Sequence, residues 1–177
     1  MRGNFLIVLA LAALVAACEE KIKPSILPTV DSKTIPQQES WNSHIVLSDS
    51  GLIRATIDAG YLRVFEGSQQ TQMSEGVVVH FFNVQGEQTS VLTSKEAIVD
   101  ETTDNLEAIG NVLVVSPDST KLRTEHLYWD NQKQLVHTPE FVQIVSPKEK
   151  LQGHGFESDQ NLQHYRIFHV TGQSVPQ

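Results

Sequence analysis

Three aspartates recur at matched places in the chain: Asp100, Asp130 and Asp159, spaced 30 and 29 residues apart. Carboxylates at a fixed interval are what a calcium array or a pair of catalytic acids would need. Each is followed by polar turn-forming residues: Glu101-Thr102-Thr103-Asp104-Asn105, Asn131-Gln132-Lys133 and Gln160-Asn161. An aspartate that accepts hydrogen bonds from the next backbone amides starts a turn, and this accounts for all three. A calcium repeat would need further oxygen ligands in a Gly-Asp-rich tract, and the sequence has none.

The other reactive side chains form no constellation. Seven histidines (His44, His80, His126, His137, His154, His164 and His169) are scattered without the spacing of a zinc motif. The chain has one cysteine, so it can form no internal disulfide. It lacks a Gly-x-x-x-x-Gly-Lys phosphate loop and a Gly-x-Ser-x-Gly elbow. No nucleophile is paired with a base, so no catalytic residue, metal or cofactor is expected. The net charge of −8 disfavours nucleic acid as a partner, because no basic patch is available to neutralise phosphates.

The aspartates belong to a longer repeat. Leu92, Leu122 and Leu151 each stand eight residues before one of them, and the apolar Ala97, Leu127 and Phe156 follow each leucine by five. Val114-Val115-Ser116-Pro117 matches Ile144-Val145-Ser146-Pro147. A period of this length signifies small units stacked on one another. Each unit reads as strand, polar turn, strand, which makes the chain all-β: a sandwich, a jelly roll or a short solenoid. Leu52–Phe65 reads as a degenerate first copy with its turn at Asp58 and Gly60, and Gly67–Gly76 as a loop. Gln85-Gly86-Glu87 reads as another turn.

Alternation assigns the faces. If His80 faces solvent, Val77, Val79 and Phe81 face inward. Val112, Val114, Val142 and Ile144 go to the inner face, and Leu113 and Gln143 to the outer one. The five-residue gap from Leu122 to Leu127 would put two leucines on opposite faces of a straight strand. A bulge around Thr124-Glu125-His126 returns both inward, and Gly153 and Gly155 occupy that place in the next copy.

The start of the chain has a different character. Arg2 precedes an apolar run from Phe5 to Val15, too short for a membrane-spanning helix but suited to a secretion signal. The run ends in Leu14-Val15-Ala16-Ala17-Cys18, similar to a bacterial lipoprotein box, in which cleavage precedes a cysteine that carries diacylglycerol. Residues 1–17 are thus expected to be a lipoprotein signal peptide, 18–48 the lipid anchor and a proline-punctuated linker, 49–172 the folded domain and 173–177 a tail. Two or more acyl chains on Cys18 give stable membrane anchoring.

From Leu122 to Ile167 the chain resembles the LptC family of periplasmic lipopolysaccharide-export proteins, related to OstA-like β-jelly rolls. Leu122-Arg-Thr-Glu-His-Leu127-Tyr128-Trp129-Asp130 and His137-Thr138-Pro139-Glu140-Phe141-Val142-Gln143-Ile144 carry the likeness. So do Leu151-Gln-Gly153-His-Gly155-Phe156-Glu157-Ser158-Asp159 and Tyr165-Arg166-Ile167, with Ala108-Ile109-Gly110-Asn111-Val112 earlier. The resemblance implies a V-shaped, two-sheet jelly roll of stacked strand pairs. It also implies a non-catalytic carrier, which accepts lipopolysaccharide from the permease subunits of an inner-membrane ABC transporter and passes it to a periplasmic jelly-roll bridge. Many members of the family are held by a transmembrane helix, and here Cys18 takes its place. The anchoring membrane, inner or outer, stays open from sequence; the resemblance favours the periplasmic face of the inner one.

Alternation nominates the lining of an acyl-chain groove: Val79, Phe81, Val112, Val114 and Leu127, then Val142, Ile144, Phe156 and Ile167. The Leu52–Ile57 end is expected to meet the transporter and the Tyr165–Val170 end the bridge. Two other readings compete: a structural or adhesive envelope lipoprotein with a closed β core, and a carbohydrate-active β-solenoid, which would need two carboxylates converging in a cleft.

Overall fold

A computed structural model describes residues 35–65 and 67–174. Ten strands account for most of them. They are β1 (Pro36–Asp49), β2 (Leu52–Phe65), β3 (Gln70–Phe82), β4 (Gln88–Ser94) and β5 (Glu96–Asp100), followed by β6 (Asn105–Val115), β7 (Lys121–Asp130), β8 (Leu135–Val145), β9 (Lys150–Asp159) and β10 (Tyr165–Ser174). All belong to one antiparallel sheet in the order β1-β2-β3-β4-β6-β7-β8-β9-β10, with β5 also pairing β3 and β6. β4 and β5 are two halves of one strand interrupted at Lys95.

The other long strands are interrupted in the same way. Pairing breaks between β2 and β3 opposite Gly60, and between β6 and β7 at Gly110-Asn111. It breaks again at Pro139-Glu140 of β8, and the register shift of β10 lies further along, between Val170 and Gly172. A bulge inserts an extra residue and bends its strand. Aligned from the β2–β3 pair to the β8–β9 pair, the bulges crease the sheet, and the two halves fold over as facing walls. One wall holds the first half of β6 and the second half of β7; the other holds the remainder of both. The jelly roll is therefore all-β as expected, but it is one continuous sheet bent back on itself rather than two separate ones.

The crease explains the Leu122–Leu127 spacing. Both leucines are buried, on opposite walls, and both point inward. Positive-φ residues line the crease, among them Glu75, Gly76, Gly110, Asn111 and Gly155. Glycine is required at Gly60 for a further reason: a Cβ there would lie 2.6 Å from the Glu75 carbonyl oxygen.

The repeated aspartates start turns. The Asp100 Oδ1 accepts from the amides of Thr102 and Thr103 at 2.9 and 3.0 Å. Asp130 accepts from the Lys133 amide at 2.9 Å, and Asp159 from the Gln163 amide at 3.0 Å. The Gln85–Glu87 turn is present, tied by Asn83.

Three stretches differ from the sequence reading. Asp58 and Gly60 lie inside β2, not in a turn, because the strand runs through the crease without reversing. Gln70–Gly76, read as loop, is the first half of β3; Gln70, Gln72 and Ser74 face outward, while Met73 is buried and Thr71 shares its face. The linker expected to reach residue 48 gives way at Pro36 to β1, which pairs with β2 along its length. Its exposed, polar outer face hides the alternation, and Trp41 is covered on one side by Tyr61, with ring centroids 5.5 Å apart. The signal segment and Cys18 lie outside the described residues, and none of the described residues forms a helix long and apolar enough to cross a membrane.

Candidate functional site: the faces between the walls

Cross-strand register arranges the inward side chains in rows that run across the sheet, perpendicular to the strands. One row on the second wall passes from Ile45 through Ile57, Val79, Leu92, Val114, Leu122 and Ile144 to Leu151. Every member is aliphatic, over eight neighbouring strands. At ~4.8 Å per strand the row is roughly 34 Å long. The facing wall carries Val64, Thr71, Val99, Leu106, Trp129, Val136, Ser158 and Tyr165 in the same manner.

The nine nominated positions fall on these faces. Val79, Val114 and Ile144 belong to the aliphatic row, and Phe81 stands one row nearer the rim. Val112 and Val142 are nearer the crease. Leu127, Phe156 and Ile167 are on the opposite wall, where Ile167 pairs with Phe156. Eight of the nine are buried, at 4 % exposure or less, and Ile167 is half-buried against them. His80 is turned outward and meets Gln88 at 3.1 Å, as the alternation required. Leu113 and Gln143 line a hollow of about 460 Å³ on the outer side of the crease, with Arg123 and Phe141.

The walls touch. Phe81 on one rim meets Trp129 on the other, with centroids 5.3 Å apart. Beside this contact the gap between the rims narrows to a void of about 10 Å³. Trp129 was not among the nominated residues, although its alternation with Leu127 placed it inward. Ile57, Leu92 and Leu106 were not nominated either, and only the register shows that they complete the rows.

The sheet is not closed. Among the described residues β1 pairs only with β2 and β10 only with β9, so each presents a free edge. The apolar faces reach these edges. Val170, which pairs with the buried Gly153, is itself exposed. Tyr165, also near the β10 edge, donates to Glu149 at 2.8 Å; burial first, then this bond, raises its pKa above the usual 10.0.

Polar clusters elsewhere remain on outer faces. His126 meets Glu107, and Tyr128 stacks between His126 and His137. Among the described residues no three His, Cys, Asp or Glu converge to hold a metal ion. A family model described as "Lipopolysaccharide-assembly, LptC-related" matches residues 5–173. None of the curated proteins matches the chain.

Proposed function

Because the chain belongs to the LptC family and so takes part in lipopolysaccharide assembly, we propose that it is a non-catalytic carrier whose two walls hold the acyl chains of lipopolysaccharide. The observation that carries this reading is the unbroken aliphatic row that starts at the free β1 edge and crosses eight neighbouring strands to Leu151 of β9. An acyl chain in water is disfavoured by ~0.8 kcal/mol per methylene. Between the walls it would exchange water for contacts like those the walls make with each other. The walls meet in this structure, so a guest chain must part them, starting at Phe81 and Trp129. Apolar contact is then replaced by apolar contact, and the main cost is the lost fit of the side chains.

The same logic governs hand-over. Moving a chain between two similar troughs changes the burial energy little, so direction must come from an energy source outside this domain. Free sheet edges suit strand-by-strand addition of neighbouring jelly rolls. The transporter edge is β1: the Leu52–Ile57 stretch expected to fill that role is covered by β1. The β10 edge takes the periplasmic bridge. Cys18 anchors the chain at the periplasmic face of the inner membrane, with residues 19–35 as the tether. Cross-linking from β1 and β10 in intact cells should give two different protein partners. Loss of both partners on altering one edge would rule this arrangement out.

The buried state of the inner positions favours a second reading, a structural lipoprotein with a closed core. Photo-cross-linking separates the two. A photoreactive residue at Val142 or Phe156 should capture lipopolysaccharide in intact cells, and one at the outward Gln143 should not. Capture at Gln143 alone, or at none of the three, leaves the closed core standing.

A further inference from the structure

We propose that Arg54 is an anion subsite at the mouth between the walls, built to take a phosphoryl group on the saccharide head of the carried lipid. The inference rests on the carrier reading and adds to it a residue that reads the head rather than the tails.

The position of Arg54 is unusual. In β2 the residues Ala55, Ile57 and Ala59 face inward, and Thr56 and Asp58 face outward. Simple alternation would send Arg54 outward too. A bulge intervenes: Leu47 pairs with Ala55 but Ser48 pairs with Ile53, leaving Arg54 as the extra residue. Bulges commonly re-aim a side chain. Here the guanidinium is brought to the rim void, against Phe81, Leu106 and Trp129. Its side chain is only 20 % exposed. Its Nε is buried and has no hydrogen-bond partner among the described residues.

A buried N–H donor without an acceptor is costly, and a native structure that keeps one calls for an explanation. The ion pair with Asp49 offsets the charge but leaves Nε–H without an acceptor. Asp49 Oδ2 is 3.6 Å from Nη2, beyond hydrogen-bond range, and its side chain is more than half exposed. Asp104 and Asn131 also border the void. Two carboxylates beside one guanidinium disfavour a bare inorganic anion. They suit a phosphoryl group carried on a sugar, whose hydroxyl groups donate to Asp49 and Asp104 while the phosphoryl oxygen accepts from Arg54. The floor beneath is apolar, as an acyl chain on the same molecule requires.

The void, of about 10 Å³, is large enough for roughly one water and too small for the head group. The acyl chain must therefore part Phe81 from Trp129 before the phosphoryl group can reach Nε. The subsite thus forms only when cargo is present, and Arg54 adds affinity for tails that arrive with a phosphorylated head.

The test uses the full chain and two ligands, lipopolysaccharide and the same material enzymatically dephosphorylated, with Kd measured for each. The wild type should prefer the phosphorylated form by about 10-fold, the scale of one charge-assisted hydrogen bond. R54Q should bind both forms as the wild type binds the dephosphorylated one, and R54K should keep much of the preference. Equal affinities in the wild type, as when a water alone satisfies Nε, would overturn the subsite but not the carrier. So would a full preference in R54Q, or loss of all binding in both R54Q and R54K, which would mark a structural role. A wild type that takes up neither lipid removes the carrier reading and the subsite together.

Discussion

The centre and the edges of the sheet are built differently. Strands β6 to β9 bury nearly every inward side chain, with Leu122, Val142 and Ile144 at 0 % exposure. The edge strands β1 and β10 follow the same alternation with much weaker burial. Ile45 and Ile167 are half-covered, and the inward Val170 is exposed. Both regions obey one pattern, so the difference lies in neighbours. A central strand is paired on both sides and roofed by the opposite wall; an edge strand has one partner and little roof. Stability is thereby concentrated in the middle, and the ends remain available for other chains or for cargo.

Substitution should separate the two regions. Leu122→Ala removes a fully buried side chain from the aliphatic row, and a loss of about 2–5 kcal/mol is expected in urea denaturation. Val170→Ala should change stability by about 0.5 kcal/mol or less, as exposed positions do. An edge substitution as costly as Leu122→Ala would mean that the ends share the core's load.

Gly153 tests the boundary between the regions. A Cβ there would stand 2.2 Å from the His169 carbonyl oxygen and 2.7 Å from Ile167 Cγ2, so β10 must shift to admit it. Gly153→Ala should cost about 1–3 kcal/mol, the usual scale of overpacking. Its signature should be local, with faster amide hydrogen exchange in β10 and unchanged protection in β6 and β7. Loss of protection throughout the sheet would show that β10 is integral to the core.

The same contrast sets what the sequence revealed. In the centre, a leucine at Leu122, another at Leu127 and two glycines at the matching place disclosed the crease, because a period-two strand cannot keep both leucines inward without a bulge. The turn role of Asp100, Asp130 and Asp159 was legible from the polar residues after each. At the edges the signal failed. β1 exposes one face fully and the other partly, so its alternation is faint, and its three prolines-and-polar prelude extends the look of a linker into it. Gln70–Gly76 looks polar because Met73 is its one apolar inward residue and the inward Thr71 is itself polar. Arg54 was invisible for another reason: a single-residue bulge is a property of pairing between two strands, and neither strand announces it alone.

The turns offer the finest test of the comparison, since they sit at the tips of the central strands. Amide bonds from Thr102, with further bonds from Thr103, hold the Asp100 carboxyl below its usual 3.8. At Asp130 the Lys133 ammonium comes first and the Lys133 amide second, with the same direction. A carboxylate whose folded pKa is depressed stabilises the fold fully above its unfolded pKa. That contribution is lost as pH falls through the folded value. Both groups sit half-buried at surface turns, so the effect should be the smallest of those argued here, and the Asp130–Lys133 part, whose ammonium is exposed, should shrink further in salt. Melting temperature followed from about pH 7 to about pH 3 should fall less steeply in Asp100→Asn than in the wild type, once each is referred to its own neutral value. Parallel curves would show that these turns close equally well around a neutral side chain, and that the central tips, like the edges, add little to the stability of the sheet.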